Sequence, residues 1–398
     1  MASPPPPRPP PELMDELVGE ILLRLPPDEP EHLFRAALVC KPWLRILCDP
    51  GFLRRYRAFH GAPPLLGLLH RLQVSQGDPA PRFASTTSMP DFPHPGSDGD
   101  RTRPLDCRHG RVLIHMLEDE SLDLDLLVWD PITGERHAVP EPDIDWMIYT
   151  AAVLCAADGC DHLDCHGGPF RVVFLATDDY DAQVKATVYS SVTGVWSAPV
   201  SIHDGCEFYA KHKREITAQR GYYIPYVKPR RVAVIGDEIY FTLLRNTAIV
   251  KYDYCGKNCL CVIDPPPPDT EVYCTMIALM VMDGNSLGLA GIEGSNLHLW
   301  TRKVKGAAEW VQCRVIDLDK IMPMAMPSDS HGAYVVGFAE GLDVIFIQTD
   351  AGLFTFGLKS GLVKKVGKPG VCYSILPYMS FYTPDRGTFL SLASGEAH

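Results

Sequence analysis

Apolar positions along the chain follow two different periods, one before and one after about residue 60. Leu13, Leu17, Ile21 and Leu25 recur every fourth residue, with Val18 and Leu22 flanking them, which is the stripe of an amphipathic helix. Acidic residues crowd its first turn, where the helix dipole favours them. Pro26-Pro27 stops it, because proline has no N–H to donate and its ring clashes with the preceding turn. A second helix is expected over about 29–39, burying Leu33, Phe34, Ala37 and Leu38. Pro42 then opens a short third helix with Trp43, Leu44 and Leu47. Asp49-Pro50 supplies an N-cap followed by a first-turn proline, opening a fourth with Phe52, Leu53, Tyr56 and Phe59.

From about Gly61 the helical period disappears. Short β-branched and aromatic runs replace it, punctuated by Gly, Pro, Asp and Asn. Val128-Trp129-Asp130-Pro131-Ile132-Thr133-Gly134 returns as Val188-Tyr189-Ser190-Ser191-Val192-Thr193-Gly194. Looser echoes follow around Tyr252, Trp300 and Phe356, so the aromatic markers step by 60, 63, 48 and 56 residues. A further apolar run precedes each marker, as at His109 to Ile114, Arg171 to Leu175 and Arg231 to Phe241. Five repeats of this length, each holding about four short strands, predict propeller blades. Residues 61–105 are left for a sixth, degenerate blade or a closing strand, and two stacked antiparallel sheets are the alternative. The expected fold class is thus α+β and multidomain: a leader over 1–10, a helical module of three or four helices over 11–60, and an all-β propeller of about six blades over 61–398.

Composition narrows the function. With 46% hydrophobic and 22% charged residues among 398, the chain has the apolar content of a folded protein. Acidic residues number 49 against 37 basic, a net charge of −12. Residues 1–60 carry eight of each sign, so the excess falls on the β-rich part, and no basic field serves nucleic acid or an anionic membrane. The apolar run over 274–282 is about half a bilayer span. No apolar signal segment is evident near Met1. The expectation is a soluble protein of the cytoplasm or nucleus, its 13 cysteines reduced.

A helical module of under 50 residues buries too little surface to stand alone. Its apolar seams call for completion, either by another protein or by the chain's own β domain. The module resembles the F-box: Leu13-Met14-Asp15-Glu16-Leu17 leads into Glu20-Ile21-Leu22-Leu23-Arg24-Leu25-Pro26, followed by Val39-Cys40-Lys41-Pro42-Trp43 and Asp49-Pro50-Gly51-Phe52. Met14 stands where the family usually has proline. The resemblance implies docking on a Skp-like adaptor, and through it on cullin and RING subunits of a ubiquitin ligase. By analogy Leu13, Leu17, Ile21, Leu25, Pro26, Leu33, Val39, Cys40, Lys41, Trp43 and Leu47 form the adaptor-facing or module-core set. The β repeats are similar to F-box-associated propellers of plants, grasses in particular. Together the resemblances imply a non-catalytic substrate-recognition subunit with an unidentified target protein, no cofactor, and no nucleic-acid or membrane partner.

Other motifs offer rival chemistry. Gly284-Asn285-Ser286-Leu287-Gly288 matches a nucleophile elbow, but that elbow needs a helix after it and the following residues read as strand. Cys160, His162, Cys165 and His166, with Cys155 ahead of them, include enough soft ligands for zinc. Against zinc, they lack two separated half-sites, and adjacent Cys165 and His166 are awkward to aim at one ion. Cys255, Cys259 and Cys261 flank a hairpin without a histidine. The basic stretch Lys211 to Arg214, with Arg220 and Tyr222-Tyr223, reads as a solvated connection or a binding loop, and Pro265 to Pro268 as a rigid linker. Two alternatives accompany the receptor reading: a sugar- or hormone-binding propeller with an aromatic pocket on its axis, and a metal-assisted hydrolase.

Overall fold

The computed structural model describes residues 14–71, 83–93, 95, 101–117, 124–178, 183–202, 207–221, 226–243, 248–263, 277–303, 309–322, 333–368 and 374–385. The leader, Leu13, Tyr222-Tyr223 and the 265–268 prolines lie outside them.

Four helices come first. Helix α1 (Asp15–Leu22) has Asp15 and Glu16 in its first turn, and the chain then tightens at Arg24 and Leu25, ahead of Pro26. Helix α2 (Glu31–Ala37) is two residues shorter at each end than its pattern suggests. Helix α3 (Lys41–Leu47) carries Pro42 in its first turn. Helix α4 (Pro50–His60) is capped by Asp49, whose carboxylate accepts the Phe52 N–H at 2.8 Å. Val18, Leu22, Leu33, Ala37, Leu47, Phe52, Leu53 and Tyr56 form the module core. The Tyr56 hydroxyl donates to the Leu25 carbonyl at 2.8 Å, which pins the end of the α1 segment to α4. Leu38 and Phe59, both expected inside, are exposed. Leu38 falls just past the end of α2, and the buried positions of α4 end at Arg57.

Six antiparallel sheets follow, each joining strands consecutive in the chain except the first. Blade 1 pairs β1 (Leu65–Arg71) with β2 (Phe83–Ser85) on one side and the last strand of the chain on the other. Blade 2 is β3 (Arg101–Arg108), β4 (Arg111–Leu117), β5 (Asp125–Trp129) and β6 (Arg136–Val139). Blade 3 is β7 (Ile148–Cys155), β8 (Phe170–Thr177) and β9 (Val184–Ser190), with an outer edge split into β10 (Val195–Trp196) and β11 (Val200–Ser201). Helix α5 (Glu207–Arg220) then leads to blade 4, made of β12 (Ala233–Ile235), β13 (Glu238–Thr242), β14 (Ile249–Asp253) and β15 (Cys259–Ile263). Blade 5 is β16 (Ala278–Met282), β17 (Ser286–Glu293), β18 (Asn296–Lys303) and β19 (Glu309–Asp317). After the single turn α6 (Leu318–Ile321), blade 6 is β20 (Tyr334–Ala339), β21 (Val344–Thr349), β22 (Gly352–Gly357) and β23 (Val363–Gly367). Strand β24 (Ser374–Met379) returns to β1, Leu69 opposite Leu376, and closes the ring. Of the 61–105 segment, β1 and β2 supply two strands of the sixth sheet, which β24 completes and closes, while Arg101 onward already belongs to blade 2. Helix α5 was not foreseen, because Tyr209 alone among its described side chains is buried and no apolar stripe marks it.

The apolar core is a ring of six clusters, each between two neighbouring blades. Strand periodicity distributes side chains between them, since alternate residues point to opposite faces. On β4, Val112 and Ile114 face blade 1 while Leu113 faces blade 3. On β8, Val172, Phe174 and Ala176 face blade 2 while Val173 and Leu175 face blade 4. Middle strands consequently read as unbroken apolar runs. The repeat markers Trp129, Tyr189, Tyr252, Trp300 and Phe356 all fall on the third strand of their blades, and all are buried.

The axis is polar. Asp106 and Arg108 of blade 2, Arg231 just ahead of β12 and Glu340 just after β20 meet there, and such non-adjacent blades can touch only across the centre. Arg108 contacts Asp106 at 3.2 Å and Glu340 at 2.7 Å, and donates to the Val232 carbonyl of blade 4. Arg231 donates to the Phe338 carbonyl of blade 6, and Asp106 accepts the Val153 N–H of blade 3 at 3.1 Å. Burial pushes Glu340 up, but Arg108 and Arg231 outweigh it and hold its carboxyl below 4.5.

The helical module rests on one propeller face. The face is identified by Ser380, whose N–H donates to the Pro64 carbonyl where β24 ends and β1 begins. Phe381 enters the module core, edge-on to Tyr56, and Phe34 meets Tyr382 at 4.8 Å. Arg57, buried on α4, pairs with Asp164 of the β7–β8 loop at 2.7 Å, and Leu163 packs beside it. The two completions weighed for the module thus both have a place. The β domain closes its inner side and leaves the outer side open.

Two outcomes are expected. Phe381→Ala should cost about 3–5 kcal/mol at the seam and open residues 61–64 to protease, seen by limited proteolysis alongside thermal melting. Proteolysis unchanged from wild type would show that the module does not lean on Phe381. Glu340→Gln should lower stability at neutral pH by about 1.5–3 kcal/mol. Because the folded pKa of Glu340 lies below the unfolded value, its contribution is present above about pH 4.5 and is lost on acidification. Urea unfolding should therefore show wild type and variant converging toward about pH 3.

Candidate functional site

Helix α1 sorts its apolar residues in a way the every-fourth-residue stripe did not specify. Val18 and Leu22 turn inward, whereas Leu17 and Ile21 remain 47% and 53% exposed and Met14 64%. The spacing explains the split: 14, 17 and 21 share one side of the helix, and 18 and 22 lie one position round from it. The turn between α2 and α3 adds Leu38 and Val39, each 62% exposed, with Cys40, Lys41 and Pro26 also exposed. Five of the eleven exposed large apolar side chains among the described residues fall within 14–39.

The remaining members of the sequence-derived set divide. Leu33 and Leu47 are fully buried inside the module, so of the two roles left open for the set, adaptor-facing or module-core, they take the core. Leu25 and Trp43 are half-buried and pack on that core. Leu13 lies outside the described residues. Beside the exposed face, Glu20 of α1 bridges Arg24 at 3.2 Å and Arg55 of α4 at 2.5 Å, fixing α1 against α4. Hydrogen bonds from Arg24 and Arg55 hold the Glu20 carboxyl below its ordinary value.

The propeller has two unlike faces. Turns from the first to the second strand of a blade lie on the helical-module side and are short at 109–110, 236–237, 283–285 and 340–343. The outer strand of one blade ends, and the inner strand of the next begins, at the opposite face, and the intervening stretches are longer in sequence, notably 202–232 and 318–333. Helix α5 stands in the first of these, with Lys211, Lys213 and Arg214 exposed, so the basic stretch is a helix held by Tyr209. The axial pocket expected of a small-molecule receptor is not an aromatic one among the described residues, because the four charged side chains occupy the axis. An open cleft of about 520 Å³ lies instead between blades 2 and 3, lined by Arg111, Asp130, Arg136, His137 and Phe170 among others.

The cysteine motif folds into a cluster of different membership from that expected. Ligand atoms of Cys155, Cys160, His162 and Cys165 all lie within 4.8 Å of one another. His166 turns away, bonding Asp130 at 2.5 Å and Ser380 at 2.8 Å, and Cys155 at the end of β7 takes the fourth position. Burial, and then the adjacent Cys155 and Cys160 thiols, push the Cys165 thiol well above its usual range. Cys255, Cys259 and Cys261 lie on the β14–β15 hairpin, where Cys255 accepts a hydrogen bond from Arg171. Ser286 opens β17 after a tight turn with Gly284 and Asn285 at positive φ, and its hydroxyl meets Thr301 at 3.1 Å. Strand follows it, so the nucleophile-elbow geometry is not formed.

The comparisons with known proteins match the helical module and the β domain separately. A model of the F-box domain matches residues 11–55, and a model described as "F-box protein AT5G49610-like, beta-propeller" matches residues 104–385. No curated protein matches the chain. Among solved structures, the extracellular domain of BT4673 from B. thetaiotaomicron is 12% identical with a TM-score of 0.34, over 67% of this chain and 28% of that one. The chain thus spans little more than a quarter of that relative's length. The WD40 domain of SCAP from fission yeast is 11% identical with a TM-score of 0.36, over 68% of this chain and 56% of that one. Likenesses of this grade carry no argument. The family match covers well over half of the chain, which therefore belongs to the F-box protein AT5G49610-like β-propeller family, with an F-box domain ahead of its six blades.

Proposed function

We propose that this chain is the substrate-recognition subunit of a cullin–RING ubiquitin ligase. F-box domains bind Skp-like adaptors, and the reading has the exposed side of α1 and the α2–α3 turn dock on one. The single observation that carries it is the outward Met14, Leu17, Ile21, Leu38 and Val39 on a module whose inner side is already closed by Phe381 and Leu163. Fully burying an exposed Leu or Ile contributes about 1.5–3 kcal/mol, and a partner covering Leu17 and Ile21 would supply the part of that belonging to their still exposed surface. The chain itself performs no chemistry in this reading. It raises the local concentration of a target lysine near a conjugating enzyme recruited through the cullin and RING subunits.

The target would bind the propeller face opposite the F-box, where α5 lies. Support for this side comes from geometry, because the other face is occupied by the F-box itself. A rigid seam keeps the target at a set distance from the adaptor, whereas a floppy linker would dilute the effect. The reading implies a protein of the cytoplasm or nucleus.

Leu17→Asp together with Ile21→Asp is expected to abolish recovery of a Skp-like adaptor on co-purification and to leave thermal melting unchanged, since neither residue is buried. Undiminished adaptor recovery would remove α1 from the docking surface. Leu33→Ala should behave oppositely, losing about 2–5 kcal/mol of stability because it hollows the module core.

A further inference from the structure

The β7–β8 loop is the exception among the first-to-second-strand turns. It runs from residue 156 to 169 where its counterparts need two to four residues. Two of its cysteine and histidine pairs stand at the edge lengths of a tetrahedral metal site, and all four ligand atoms, that of Cys155 included, lie within 4.8 Å of one another. The Cys160 and Cys165 sulfurs are 3.6 Å apart, and Cys165 Sγ lies 3.6 Å from His162 Nδ1. Zinc holds sulfur at about 2.3 Å and nitrogen at about 2.0–2.1 Å in a tetrahedron, which places S–S edges at about 3.8 Å and S–N edges at about 3.6 Å. A disulfide would instead need sulfurs at about 2.05 Å. We propose that Cys155, Cys160, His162 and Cys165 form a tetrahedral zinc site that fixes the seam between F-box and propeller.

Three independent features fit that site. The fold provides the two separated halves that the linear motif lacks, Cys155 from the end of a strand and the Cys160–Cys165 knuckle from the loop. The His162 N–H donates to Cys160 Sγ at 3.4 Å, a bond suited to a thiolate. His162 also holds φ at 60°, a left-handed conformation that a non-glycine residue keeps where its surroundings enforce it. Neighbouring contacts orient the ligands, as second-sphere groups do in metal sites. The His109 ring stacks on His162 at 4.1 Å, and its Nδ1 accepts the Cys155 N–H at 3.4 Å. Arg111 donates to the carbonyls of Cys165 and Gly168.

The role follows from position. Leu163 and Asp164, which contact the F-box core and Arg57, sit between ligands His162 and Cys165. Metal binding would release the three thiol protons to solvent and lock the two residues that reach the F-box. The site is independent of the adaptor reading, since it needs no partner.

The test is metal analysis of the full-length chain, expressed with zinc and purified without chelator. One zinc per chain is expected. Cys160→Ser and Cys165→Ser should lose it, while Cys259→Ser and His166→Ala keep it. Because a serine variant can fail to fold, His162→Cys is the companion: four thiolates also suit zinc, so it should retain one ion. Cobalt loaded into the wild-type chain should give the intense visible bands of a tetrahedral site with thiolate charge transfer. Wild-type protein without zinc, a Cys160–Cys165 disulfide found by mass spectrometry, an octahedral cobalt spectrum, or zinc lost on Cys259→Ser and kept on Cys160→Ser would each overturn the proposal.

Discussion

Every blade of this propeller is apolar on both faces, and a sheet of that kind is stable only with a neighbour on each side. The six inter-blade clusters meet that requirement as a closed circle, so no blade can be considered alone. Closure falls to the chain ends: β24 supplies the inner strand of blade 1, whose other two strands come from the start of the propeller. Without that pairing, the cluster of Leu68, Val336, Phe346 and Ile375 and the cluster of Leu69, Val112, Trp129 and Tyr378 would each lose one wall. The ring has nothing apolar left to place on its axis, and the charged side chains of blades 2, 4 and 6 fill that space by pairing with one another and with strand carbonyls.

The same closure positions the F-box. Where β24 ends and β1 begins, the chain passes directly into Ser380, Phe381 and Tyr382 on one side and the 61–64 connector on the other. The residues that complete the F-box core are therefore continuous with the strand that completes the propeller. A module too small to hold itself together draws its missing wall from the element on which the larger domain depends. Loosening of the closing strand would reach both, and the two domains should behave as one cooperative body.

Much of this was legible in the chain, for reasons that can be named. The aromatic on the third strand repeats because that position is buried, so Trp129 to Phe356 marked five of the six blades. Thr133-Gly134 and Thr193-Gly194 recur within the repeat because each lies in a tight turn between strands where glycine takes positive φ. The F-box landmarks placed four helices within a few residues. Legibility ended where contacts are made between distant segments. An every-fourth-residue stripe cannot say which of two adjacent helix positions faces inward, so the pattern alone did not separate Leu17 from Val18, nor Leu33 and Leu47 from the residues of the same set that stay outside. Helix α5 left no apolar period. The axial charges come from three separate blades, and nothing in the local runs around Arg108, Arg231 or Glu340 connects them.

The cysteine motif shows most clearly how fold changes the reading of a local pattern. In the linear chain His166 looks like the fourth ligand, because it is adjacent to Cys165 and completes a compact set. In the structure, consecutive residues of the loop point to opposite sides, so Cys165 and His166 serve different neighbours. His166 joins Asp130 and Ser380, tying blade 2 to the closing strand, while Cys165 faces back toward Cys155 at the end of its own blade. Both lie beneath the F-box, and both hold the loop that presents Leu163 and Asp164. A surface loop of this length would ordinarily be among the most mobile parts of a propeller. Here it is anchored on either side of those two residues, which is the arrangement expected of a loop whose task is to bear a second domain.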